Sequence, residues 1–169
     1  MISMRYQINS AKLLLGMACV CTSFIASAQD KPAVTAEQQA IFPRGSKAPE
    51  SNFTGAAFVH PLIDPDSIFN IPVASVTFEP GARTHWHTHA GGQGLIAIEG
   101  IGYYQEKGKP IQILRKGDSV KCPPDTEHWH GASPEVGFVQ IAVTPNTARG
   151  RVTWLRPVTD QEYRSLQKQ

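Results

Sequence analysis

Five of the six histidines in this 169-residue chain fall in two short alternating runs, His85-Trp86-His87-Thr88-His89 and His128-Trp129-His130. Alternate residues of an extended strand share one face. If both runs are strands, five imidazoles point one way and Trp86, Thr88 and Trp129 the other. A single histidine is most often a surface group or a satisfied core residue; two alternating groups reverse that expectation. Burying five imidazoles without partners costs several kcal/mol, against about 5–15 kcal/mol of stability for a whole domain. A bound divalent cation removes that cost, so the pattern points to a metal centre.

The elements that must position these rings are legible as short apolar or alternating runs: Ala56–Ile63, Val73–Phe78, Leu95–Ile98, Ile111–Leu114, Phe138–Val143 and Val152–Leu155. Turn-forming triplets separate several of them: Glu79-Pro80-Gly81, Lys107-Gly108-Lys109 and Lys116-Gly117-Asp118. Many short strands with such punctuation predict an all-β sandwich or barrel. Near the end, Thr159 with Glu162 three positions on forms a capping box ahead of Tyr163 and Leu166, predicting a short helix on the barrel exterior. No internal repeat is present, which excludes solenoids and propellers.

The first residues read as an export signal: Arg5 and Lys12, an apolar stretch from Leu13 to Ile25, then Ala26-Ser27-Ala28. The expected division is a signal peptide at 1–28, a Pro/Gly-containing linker or arm at 29–51 and one domain at 52–169. The product is then exported, periplasmic or secreted, with no membrane segment once the signal is removed. Cleavage leaves Cys122 as the only cysteine, so no disulfide can form within the mature chain. Of 16 basic residues two lie in the signal, leaving 14 against 14 acidic ones. That balance implies no polyanionic partner such as nucleic acid.

Gly81, His87-x-His89, Gln93 and Gly100, at the intervals they keep here, resemble the first cupin motif, with Gln93 in place of its usual glutamate. Gly117 through Pro124 and Asp125, then His128, resemble the second, with Asp125 where glycine is usual. Ala74 to Thr84, His87-Thr88-His89, His128-Trp129-His130-Gly131 and Val158-Thr159-Asp160 with Tyr163 look like the small manganese cupins that include bacterial hydroxynitrile lyases. The resemblance implies a single-domain, jelly-roll-like β-barrel, a homodimer, and metal ligands at His87, His89, Gln93 and His128. Mn(II) is the expected ion, with Fe, Ni, Co or Zn also suited to imidazole and amide donors.

Three neutral imidazoles and a neutral amide leave the metal's charge undiminished, which favours Lewis-acid over redox chemistry. The expected activity is therefore a lyase acting on a small carbonyl or hydroxy substrate. A dioxygenase or decarboxylase-like cupin is the alternative, and a non-enzymatic exported binding module a further one. His130 is the better candidate for a general base and His85 the second. The resemblance places another active-site histidine where this chain has Gln140, and an amide cannot exchange a proton near neutral pH. Arg83 and Glu79 are expected as solvated charges and Cys122 as a small buried apolar side chain.

Overall fold

The computed structural model describes residues 41–168; the signal expected at 1–28 and most of the arm lie outside the described residues. Twelve strands form one curled antiparallel sheet: β1 (Ser46–Lys47), β2 (Phe53–Thr54), β3 (Ala57–Ile63), β4 (Val73–Phe78), β5 (Arg83–Thr84), β6 (His87–His89), β7 (Gln93–Glu106), β8 (Gln112–Arg115), β9 (Ser119–Cys122), β10 (His128–Ala132), β11 (Phe138–Val143) and β12 (Val152–Trp154). They hydrogen-bond in the order β1-β3-β4-β11-β7-β10-β5-β2. Strands β8 and β9 add to β7, and β6 lies between β10 and β12. Each of the six apolar runs read from the sequence falls on a strand. The stretch expected as an arm joins the sheet at its end, where Ser46 and Lys47 pair with Val59 and Phe58.

The long strand β7 makes the barrel. Its first half pairs with β9 and β11, and its second half with β8 and β10. Between the halves the register slips opposite Val139 and Gln140, leaving Ile98 unpaired in the count, and Gly100 adopts φ +79°. The buried positions change phase across this corner, from Leu95 and Ala97 to Gly102 and Tyr104. A bulge of this kind bends a strand and re-aims its side chains. Gly100 is needed twice over: its φ is in the left-handed region, and a Cβ there would run into the carbonyl oxygen of Gly137.

Two apolar clusters cover the two faces of β10. Inside the barrel, Phe78, Leu95, Leu114, Phe138 and Ala142 are buried together. Outside, Trp86, Tyr103, Ile111, Trp129, Val158 and Tyr163 form a second cluster. The lid on this outer face is α1 (Asp160–Tyr163), whose Thr159–Glu162 capping box is formed as the sequence implies. Arg83, expected as a solvated charge, instead clamps the helix: its buried guanidinium donates to Asp160 at 2.8 Å and to the Val158 carbonyl at 3.1 Å. The same group lies 4.4 Å over the Tyr163 ring. Tyr163 in turn donates its hydroxyl to the Ala132 carbonyl at 2.7 Å. Strand β10, which carries two of the histidines, is thereby buried along its whole length.

Gly81 and Gly100 share φ +79°, yet a Cβ at Gly81 meets nothing within 4 Å. Gly81→Ala should therefore cost only the left-handed strain, about 1–2 kcal/mol, whereas Gly100→Ala should cost more than about twice that. Urea unfolding of both variants checks this; equal costs would show that the β7 corner tolerates a side chain.

Candidate metal centre

Strand register brings the histidines together. On β10, His128 and His130 face the barrel interior while Trp129 between them enters the outer cluster. His128 stands opposite His87 of β6, and His130 opposite Tyr104 of β7. A tight turn after β6, closed by the Gly92 N–H on the His89 carbonyl at 3.0 Å, sets Gln93 at the start of β7. Asp125 N–H also donates to the His89 carbonyl, at 2.9 Å, with Asp125 at φ 58°. Asp is one of the residues that tolerate this region, which is how it serves where the resemblance leads one to expect glycine.

The ring centroids of His87 and His128 lie 4.2 Å apart, His87 and His89 5.2 Å, His87 and His130 5.2 Å, and His89 and His128 5.7 Å. Nitrogens of His87, His128 and His130 all fall within 4.8 Å of one another. His85 does not join this group. The alternation expected from His85 through His89 is interrupted by a bend at Trp86, whose N–H pairs instead with the Arg156 carbonyl at 3.0 Å. No ring contact among the described residues links His85 to the other four; its ring is set beside the Ser51 backbone and Arg83.

The hydrogen bonds fix which nitrogens face inward. A carbonyl oxygen only accepts, so His87 Nδ1 carries the proton it donates to the His85 carbonyl at 2.9 Å. His87 Nε2 is therefore a bare lone pair in the neutral ring. His128 has a carbonyl oxygen against each nitrogen, Thr126 at 2.9 Å from Nδ1 and Gln93 Oε1 at 3.0 Å from Nε2, so the neutral ring can donate to one of them but not to both. Neither ring nitrogen of buried His89 has a hydrogen-bond partner among the described residues. Converging acceptors without donors suit a cation, and backbone carbonyls on the outer nitrogens are the usual supports of ligating histidines. The imidazoles of His87, His128 and His130 could together hold a metal ion, with His89 and the Gln93 amide oxygen beside them.

Burial keeps these rings neutral. It pushes His87 and His130 well below the ordinary 6.5, with neighbouring imidazoles adding to the effect. Burial, then the His128 ring, brings His89 down to about 4. His128 is lowered by burial as well.

Of the neighbouring side chains, Trp154 carried no signal of its own in the sequence, whereas Cys122 and Gln140 were singled out there. The Trp154 ring packs 4.8 Å from His87, because β12 pairs with β6. Cys122 Sγ lies 3.1 Å from His128 Nδ1, and burial raises its pKa and keeps it a thiol. Gln140 is fully buried and its Nε2 lies 2.9 Å from His130 Nδ1. The resemblance already marks this position as part of the site, and period-two counting along β11 turns it inward with Phe138 and Ala142. A cavity of about 300 Å³ opens at His89, walled by Pro61, Pro72, Val73 and Val152, with Asp64 and Arg151 in its lining.

An antiparallel barrel with facing histidine strands and a clustered imidazole site defines the class. The family described as cupin domain matches residues 74–138, from β4 to the start of β11. An (R)-mandelonitrile lyase from Granulicella tundricola is 41% identical over 118 residues, 70% of this chain and 90% of that protein. A cupin-like protein from Thermotoga maritima, solved by crystallography, is 50% identical with a TM-score of 0.73, over 75% of this chain and 96% of that one. A cupin 2 conserved barrel domain protein from Rhodopseudomonas palustris shares the fold at 21% identity, with a TM-score of 0.56 over 73% and 83% of the two chains. The chain belongs to the cupin superfamily and resembles its bacterial lyases.

Reconstituted protein should bind one divalent ion per chain, and His87→Ala or His128→Ala should abolish stoichiometric loading in elemental analysis. Loading that survives both substitutions would remove the centre. Stripped of metal, the protein should lose stability as pH falls from 6.5 towards 4. In that window the unfolded chain protonates His89 and the folded one does not, so the unfolded state binds more protons. Urea midpoints across this range should fall, and fall less in His89→Ala; identical slopes would contradict the assignment.

Proposed function

We propose that this protein is a metal-dependent lyase that splits cyanohydrins into a carbonyl compound and hydrogen cyanide. His87, His89, Gln93 and His128 would hold the cation, with Mn(II) the proposed ion. The observation that carries the reading is the donor set itself: inward lone pairs of buried neutral rings and one neutral amide oxygen, with no carboxylate among them. Such a cation supplies Lewis acidity towards an oxygen while keeping its full charge, which opposes redox cycling. The named activity of the Granulicella tundricola relative supports the same choice.

The remaining work falls to the chain's own side chains. Cleavage requires the substrate hydroxyl to lose its proton as the bond to the nitrile carbon breaks. The bonding pair leaves on cyanide, and the proton ends there. The proline and valine walls of the cavity would take the apolar body of the substrate. His130 is buried beside the cluster, with Nε2 unpartnered among the described residues, and is the ring assigned to hydrogen-bond the reacting atoms. Phe78 packs edge-on against it at 5.8 Å and holds its plane.

Metal-loaded protein should release benzaldehyde from mandelonitrile, followed by absorbance. His130→Ala should lower kcat by about 10²-fold or more while leaving metal content unchanged. Absence of turnover with a range of aromatic and aliphatic cyanohydrins, at full metal occupancy, would refute the substrate class. Unchanged kcat in His130→Ala would remove that residue from the reaction.

A further inference from the structure

His130 stands close enough to His87 and His128 to complete a three-imidazole group, yet an imidazole beside a cation can play two incompatible parts. With a bare Nε2 it is a ligand or a base; with a proton on Nε2 it is neither. Its other nitrogen decides which. Gln140 Nε2 lies 2.9 Å from His130 Nδ1, and an amide NH₂ group has protons to give and no lone pair to offer. A proton on Nδ1 would therefore meet the amide N–H head-on, in a place where neither group has access to water. Nδ1 must accept, and the single proton of the neutral ring must sit on Nε2. His87 is in the opposite state, because a backbone carbonyl takes its Nδ1 proton.

We propose that Gln140 is a positioning residue: its amide holds His130 in the Nε2–H tautomer, making it a hydrogen-bond donor to the reacting atoms and barring it from the metal's coordination set. The inference deepens the lyase reading, since it gives His130 the task of donating a hydrogen bond from Nε2–H to the departing cyanide, which itself takes up the proton that the substrate hydroxyl loses as the carbon–carbon bond breaks. Two features show that the contact is built. Gln140 is fully buried on β11 directly opposite the register slip in β7, with Val76 and Ala97 as its strand neighbours. His130 is fixed on its far side by Phe78, and its backbone N–H is held by the Thr84 hydroxyl at 3.1 Å. Both partners are thus set by backbone register and neighbouring packing.

The test is the ring-nitrogen state of His130 in metal-free protein labelled with ¹⁵N-histidine, using long-range ¹H–¹⁵N correlations and His130→Ala to assign the signal. A protonated Nε2 and a bare Nδ1 are expected; a protonated Nδ1 in the wild-type protein overturns the proposal. Gln140→Glu should reverse the pattern, because a carboxylate accepts from Nδ1–H and leaves Nε2 bare. That variant should then bind divalent ions about tenfold or more tightly, the range over which outer partners tune metal affinity. The gain should vanish when His130→Ala is added, and a gain that persists in the double variant overturns the coordination half of the proposal. The wild-type spectrum decides the tautomer even if Gln140→Glu does not fold. Neither measurement uses a cyanohydrin, so failure of the substrate class would leave the tautomer result standing, and the reverse also holds.

Discussion

The structure is organised around buried imidazole nitrogens, those of His89 and Nε2 of His130, that have no hydrogen-bond partner among the described residues. An unpaired polar atom in an apolar interior costs a few kcal/mol, and the usual remedy is a hydrogen bond. Here the remedy is withheld on one side and supplied on the other. Backbone carbonyls at positions 85 and 126 lie against the outer nitrogens of His87 and His128, while nitrogens of His87, His128 and His130 converge and Gln93 Oε1 stands beside His128 Nε2. Such an arrangement is costly alone and favourable around a positive charge. It also explains why the rings stay neutral: burial and mutual repulsion oppose protonation, and a protonated imidazole ligates nothing.

Everything distant from the rings keeps those lone pairs converging. Strand β10 must be extended to alternate His128 and His130 inward, and it must be covered on its other face because Trp129 would otherwise be exposed. The terminal helix does that covering, held by Arg83 on Asp160 and by the Tyr163 hydroxyl on the Ala132 carbonyl. The corner in β7 does the complementary work. Without the slip and the positive φ at Gly100, one continuous strand could not serve both halves of the barrel. Gly102, over which the Phe138 ring lies, lets the core reach the inner side of the same strand.

The sequence announced this architecture unevenly, for physical reasons. Period-two runs gave β4 and β11 with their observed limits, and Thr159 with Glu162 gave the helix start, because both signals are local. The reach of β7 was not legible: its three glycines read as breaks, whereas only Gly100 marks a corner and the strand continues through the others. Alternation at His85 was misleading because a bend at Trp86 is set by pairing with Arg156, seventy residues further along the chain. Arg83 read as a solvated charge since its partner Asp160 is equally remote. Cys122 and Trp154 had no motif; they meet the histidines only through the pairing of β9 with β7 and of β12 with β6.

Charge sets the last constraint, and two glutamines carry it. Glu106 lies opposite His128 in the register, with its carboxylate engaged by Lys109 and the Tyr104 hydroxyl; its charge favours a proton on His128, but burial of the ring outweighs it. Gln93 supplies an oxygen without a charge, and Gln140 supplies a proton without a charge. An acid at position 93 would lower the net charge of an occupied site by one. An acid at position 140 would do so and also exchange the proton between the two nitrogens of His130. With amides at both places, a cation keeps its attraction for an electron-rich substrate atom, and the one imidazole held by a side chain rather than a carbonyl offers a proton instead of a lone pair. The two amides act on one variable, the negative charge available among buried imidazoles, and they move it the same way.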